Sequence, residues 1–169
     1  MTATPILTAV RARDLAQDLP TVRPDSDALA AARLIASHRL PGVAVVDADG
    51  NPVAVLPASQ VLRFVVPTYI QEDPHLARVV DEATADRSAG ALAGKRVGDL
   101  LPARGQRVEL AAVEGDATAL HCAALMARLH SPLVVVTDDG RVRGLLTAAH
   151  LLEVLLSSAE DGSGQASTK

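Results

Sequence analysis

The strongest constraint on this chain is that it repeats itself. Val43-Ala-Val-Val-Asp-Ala-Asp-Gly50 returns 90 residues later as Leu133-Val-Val-Val-Thr-Asp-Asp-Gly140. Upstream, Val22-Arg-Pro-Asp25 and the Ala/Leu-rich run to Ile35 match Val113-Glu-Gly-Asp116 and the run to Met126, now at an offset of 91. The register therefore slips by one residue, and the reading places the slip between helix and strand. Downstream, Ala54-Val-Leu-Pro-Ala-Ser-Gln-Val-Leu62 matches Gly144-Leu-Leu-Thr-Ala-Ala-His-Leu-Leu152, and Asp14-Leu15 parallels Asp99-Leu100. Self-similarity on this scale is the signature of a repeated supersecondary unit that buries its apolar face against its copy.

Local physics gives the order of elements within each copy. In the first, a short β segment at Val22 precedes Asp25 or Ser26, which is suited to cap a helix with Leu29, Ala32 and Ile35 near one face. The β-branched runs Val43–Val46 and Val53–Leu56 follow, joined by Asp47-Ala-Asp-Gly50. That is a hairpin signal, because Gly supplies positive φ. A second helix starts near Pro57–Ser59 and runs to about Val66. In the second copy Asp116 is the expected cap of a helix through Leu129, strands fall at Leu133–Val136 and Arg143–Leu146, and Thr147 caps a last helix to about Ser157. Both copies read β-α-β-β-α. The fold class is α/β (α+β): two pseudo-symmetric units packed sheet to sheet, with an extra helix between them.

The units occupy residues 10–66 and 95–157, with a helical linker over 67–94 and a disordered Gly/Ser-rich tail over 158–169. In the linker, Asp73-Pro74 forms an N-cap and N1 pair ahead of Leu76, Val79, Val80 and Ala83, and Gly90 and Gly94 end the helix. Arg104-Gly-Gln-Arg107 reads as a loop insertion in the second unit.

Composition narrows the function. Phe64 and Tyr69 are the only aromatic residues and the formal charge is −4, so the chain has neither a base-stacking platform nor a basic field for phosphate backbones or anionic lipid. Nucleic acid is therefore not an expected partner. At 49% hydrophobic residues the chain can build a core, yet it has no apolar run long enough to insert into a membrane. The lone Cys122 and the lack of a signal segment at Met1–Val10 point to a reducing cytoplasm. The excess of Arg over Lys and the abundance of Ala suit a high-GC bacterial genome. His38, His75, His121, His130 and His150 show no metal-ligand spacing, and no phosphate loop, nucleophile elbow or paired-carboxylate motif is present. Neither a metal nor an enzyme activity is expected.

The tandem β-α-β-β-α units, the Asp-Gly hairpins between apolar strands and the Gly144-Leu-Leu-Thr147 segment resemble the cystathionine β-synthase (CBS) domain pair, or Bateman module. The resemblance covers about residues 10–66 and 95–157. It implies a regulatory module that binds adenosine derivatives in clefts between its two units and often dimerises into a flat disc of four units. The family's binding pattern is Gly-hydrophobic-x-Thr/Ser-x-x-Asp, in which the hydroxyl and carboxylate hold the ribose. Gly144 and Thr147 fit it, but His150 stands at the Asp position. In the first unit Ala54, Pro57 and Gln60 replace Gly, Thr and Asp. A carboxylate accepts from two vicinal hydroxyls, whereas neutral His offers one acceptor nitrogen and Gln one oxygen. Near a helix start, His150 could instead donate to a phosphate.

The second unit is therefore the better candidate site. The candidate ligand contacts are Thr147, His150, Gln60, Arg143, Arg63 and the strand residues Val113 and Val134. The expected ligand is AMP, ADP or ATP, with S-adenosylmethionine and cyclic dinucleotides behind, and no cofactor is expected. The reading is a non-catalytic cytoplasmic sensor that acts on a separate effector, an enzyme or a transporter. The alternative is a ligand-independent dimeric scaffold or regulatory subunit with degenerate sites. The apolar Leu151-Leu-Glu-Val-Leu-Leu156 segment points to a homodimer.

Overall fold

The apolar runs of each repeat form hairpins because Gly50 and Gly140 take the left-handed turn position, with φ of 84° and 81°. In the first, β2 (Gly42–Val46) pairs antiparallel with β3 (Pro52–Pro57). In the second, β5 (Leu133–Asp138) pairs with β6 (Arg141–Thr147). The short strands β1 (Thr21–Val22) and β4 (Ala112–Glu114) add in parallel to β2 and β5. The computed structural model describes residues 9–79, 81–103 and 109–163, and among them these strands make two three-stranded sheets, ordered β1-β2-β3 and β4-β5-β6. Arg104-Gly-Gln-Arg107 and the tail from residue 164 lie outside the described residues.

Alternate strand residues divide the interior into three layers. Val43, Val45 and Leu56 bury against the helices of unit 1, and Val134, Val136 and Leu146 bury against those of unit 2. The residues between them, Ala44, Leu133, Val135 and Leu145, form the layer where the two sheets meet. Val43 is thus the structural counterpart of Val134, at an offset of 91, and not of Leu133. The slip expected between helix and strand lies in the hairpin turn, where Asp47 to Gly50 is one residue longer than Asp138 to Gly140. An offset of 90 through the strands would exchange the helix-facing side for the sheet-facing side.

The helices occupy the outer layers. Helix α2 (Ala28–Ser37) is capped by Asp27, whose carboxylate accepts from Ala30 N at 2.8 Å. Helix α7 (Ala119–Leu129) is capped by Thr118, whose hydroxyl accepts from His121 N at 3.1 Å. Both caps fall one or two residues beyond the expected Asp25, Ser26 and Asp116. Ser26 is occupied in the preceding turn, accepting from Arg23 N, and the Asp116 carbonyl accepts from Arg11. Helix α3 (Ala58–Val65) begins after Pro57, and α8 (Ala148–Ser163) after Thr147. The last helix thus runs to Ser163, into the segment expected to be a disordered tail. Ser157 supports it by donating to Glu153 O, and Ser, Ala and Glu beyond it are compatible with further helical turns.

The single-turn helices α1 (Ala12–Leu15) and α6 (Val97–Leu100) open the two units in sequence but pack on the opposite unit. Ala12 and Leu15 belong to the core of unit 2, and Val97 and Leu100 to that of unit 1. The backbone pairs are symmetric: Ala12 N to Ala117 O and Arg13 N to Gly115 O on one side, Val97 N to Ser26 O and Gly98 N to Pro24 O on the other. Each unit therefore completes the core of the other.

The linker is not the single helix expected from Asp73-Pro74. It breaks into α4 (Thr68–Glu72), a 3-10 turn over Pro74–Val79, α5 (Glu82–Ala89) and a second 3-10 turn over Gly90–Leu92. Asp81 provides the reason: it caps α5, accepting from Thr84 N at 2.9 Å, and so starts a new helix where the old one would have continued.

Candidate functional site

Two clefts lie between the units, related by the pseudo-symmetry. The Thr147 cleft is about 530 Å³ and is lined by Gln17, Leu19, His38, Arg39, Pro41 and the first residues of α8. The Pro57 cleft is about 260 Å³ and is lined by Ala54, Pro57, Gln60, Pro102, Glu109 and His130, among others. One wall of each is the turn that ends the first helix of a unit. Arg39 and His130 occupy equivalent positions there, both left-handed with φ of 52° and 50°, each two residues ahead of a proline, Pro41 or Pro132.

The other wall shows why the clefts differ. Gln17 bridges to Leu145 through two backbone hydrogen bonds, Gln17 N to Leu145 O (2.8 Å) and Leu145 N to Gln17 O (2.9 Å). The approach needs Gly144, where a Cβ would lie 2.8 Å from Gln17 O. The counterpart of Gln17, counted from the paired Asp14 and Asp99 turns, is Pro102, which has no N–H to donate. No such bridge forms on that side, and Ala54 is accommodated where unit 2 requires Gly144.

The electrostatics differ too. Glu109 lines the Pro57 cleft, and two hydrogen bonds from Arg128, both 2.8 Å, hold its carboxyl below the usual range and so ionised. The lining of the Thr147 cleft contains Arg39 and His38 and, among the described residues, no carboxylate. Thr147 is 9% exposed, and its hydroxyl accepts from His150 N at 3.2 Å, which leaves its own O–H free to donate.

The structure gathers only some of the residues singled out in the sequence. Thr147 faces its cleft. Gln60 lines the other, but its amide donates to Leu100 O at 3.1 Å. The ring of His150 turns to Glu153, with Nδ1 3.4 Å from the carboxylate, and does not line the Thr147 cleft. Arg143 pairs with Asp138 across the hairpin at 2.5 Å. Arg63 lines a separate groove with Lys95. Val113 and Val134 lie in the helix-facing core of unit 2 and line neither cleft, because period-two alternation turns their neighbours Ala112, Leu133 and Val135 to the inter-sheet side. Sequence reasoning passed over Gln17, His38 and Arg39. The one available signal was the recurrence of proline at 41 and 132 after matching helices.

Two three-stranded sheets, exchanged lead helices and paired inter-unit clefts are one architecture. The family model for the CBS domain matches this chain twice, over residues 12–67 and 97–157. The chain belongs to the CBS-domain family. This CBS pair is similar to a CBS-domain-containing protein of unknown function from Kribbella flavida, with 50% identity over 87% of this chain and 99% of that one, at a TM-score of 0.73. It is also similar to the CBS domain of a CBS-domain-containing membrane protein from Sphaerobacter thermophilus, with 26% identity over 89% and 90% of the two chains and a TM-score of 0.65. CBSX2, a CBS-pair protein of Arabidopsis thaliana, shares the fold in its complex with AMP, at 20% identity over 87% and 96% and a TM-score of 0.61. No curated protein matches the chain. Among the described residues of this CBS pair, no helix is long and apolar enough to cross a membrane.

Proposed function

We propose that this CBS pair is a non-catalytic, cytoplasmic regulatory module that senses an adenine nucleotide in the Thr147 cleft and signals to a separate effector. The observation that carries the reading is the meeting of a free cation, Arg39, with the buried Thr147 hydroxyl at the start of the 16-residue helix α8. Arg39 is in no ion pair among the described residues. The helix start turns its positive dipole end to a phosphate, the hydroxyl donates to an oxygen of the ligand, and Arg39 closes on the charge. The AMP complex of CBSX2 supports the ligand class. The Pro57 cleft suits a phosphate less, since Pro57 has no hydroxyl and the lining residue Glu109, paired with Arg128, presents carboxylate oxygens rather than donors. A ligand that bridges the units shifts the effector-facing surface only through its differential affinity for two inter-unit arrangements.

A second reading has its own observation: Gln60 and His150 stand where the family's binding pattern has its ribose-holding Asp, and the Gln60 amide is already engaged. On that reading the pair is a ligand-independent dimeric scaffold or the regulatory subunit of an enzyme or transporter. A thermal-unfolding screen against AMP, ADP, ATP, S-adenosylmethionine and cyclic di-AMP separates the two. Ligand at 100 times its dissociation constant adds roughly 2.7 kcal/mol, or about 5–10 °C for a chain of this size. The sensor reading expects such a shift for an adenine nucleotide and its loss in Arg39→Ala. No shift with any of the five supports the scaffold.

A further inference from the structure

We propose that the groove between unit 1 and the linker is a second binding site, distinct from both inter-unit clefts, for a small soluble molecule carrying a phosphate group. The groove is about 640 Å³ and is lined by the end of α3, by α4, by α5 and by the turn leading to α6. Three cations, Arg63, Arg87 and Lys95, line it from three segments of the chain, and among the described residues no carboxylate lines the groove. None of the three is in an ion pair among the described residues. Like charges lining one groove repel, and an anion entering it relieves that repulsion while gaining charge-assisted hydrogen bonds.

The groove is also held in shape. Gln71 on α4 donates through its amide to Arg63 O (2.9 Å) and Val66 O (2.7 Å), fixing the linker against the end of α3. Arg87 Nη2 donates to Thr84 Oγ1 at 2.7 Å, and Lys95 Nζ stands 6.0 Å from the Phe64 ring centroid. Asp81 senses the Arg87 charge, but its carboxylate accepts from Thr84 at the start of α5 and lines no part of the groove. Half-exposed Tyr69 supplies a flat apolar wall for the rest of the ligand. The groove does not belong to the repeat: the counterpart of Arg63 in unit 2 is Glu153, and Thr84, Arg87 and Lys95 fall outside both stretches matched by the CBS-domain model.

The test is calorimetric titration of inorganic pyrophosphate into the full chain carrying Arg39→Ala, so that the Thr147 cleft lacks its cation and failure of the nucleotide reading leaves this result unaffected. Saturable binding is expected, weakening as salt rises and by about tenfold on losing either arginine in Arg63→Gln or Arg87→Gln. Both residues are exposed, and an unchanged unfolding midpoint verifies that the variants fold. Absence of binding overturns the proposal, as does unchanged affinity in the folded Arg63→Gln/Arg87→Gln double variant. Binding to phosphatidylglycerol vesicles without binding to pyrophosphate overturns it in favour of a lipid surface.

Discussion

At the scale of single residues, Gly144 joins the two units by what it lacks. Its missing Cβ lets the segment at Ala16 and Gln17 lie against β6, where any side chain would press on Gln17 O and on Ala16 Cβ at 3.1 Å. Gly144→Ala is therefore expected to cost about 1–3 kcal/mol in chemical denaturation. Ala54→Gly, at the equivalent position facing Pro102, removes no such obstacle and is expected to cost only about 0.5–1 kcal/mol, the ordinary penalty of glycine in a strand. Equal losses at the two positions would show that the bridge to Leu145 does not restrict residue 144. Arg39 and His130 illustrate the opposite limit. Both take left-handed backbone angles that ordinary residues adopt at a cost, and both present a polar side chain to a cleft.

Among the elements, the exchange of α1 and α6 decides which contacts support which sheet. Leu15 is buried in the core of unit 2 although it lies at the start of unit 1, and Leu100, at the start of unit 2, is buried in the core of unit 1. Truncating either to alanine is expected to cost about 2–5 kcal/mol. Hydrogen exchange distinguishes their sites of action: Leu15→Ala should loosen β5 and β6 first, and Leu100→Ala should loosen β2 and β3. The reverse pattern would contradict the exchange. The sequence displayed the resemblance of Asp14-Leu15 to Asp99-Leu100, and each aspartate does accept the backbone N–H three residues before it, from Arg11 and Arg96. That hydrogen bond is local, so it predicts a turn and carries no information on which core receives the leucine. The linker failed for a related reason, since apolar spacing across residues 74–83 suggested one helix while the cap at Asp81 started another.

For the whole molecule, the outer helices leave Leu62 and Leu152 at 58% and 56% exposure, at equivalent positions of the repeat, with Leu156 beyond them at 64%. Matching apolar positions on both units suit a symmetric partner, and a homodimer is the expected state. Sedimentation should therefore give twice 17.5 kDa at micromolar concentration, and a species of 17.5 kDa would refute it. The order of elements, the two hairpins, the doubled unit and the packing of sheet on sheet were all determined by the sequence itself, because apolar periodicity and glycine turns act over a few residues and the repeat states them twice. The tertiary structure alone decided that the lead helices trade units, that one cleft is cationic and the other contains an ionised glutamate, that Val113 and Val134 serve the core, and that Arg63 meets Arg87 and Lys95 in a groove of their own. Those outcomes depend on which distant residues pack together, and pairing at long range follows the shape of the assembled core, which no local pattern encodes.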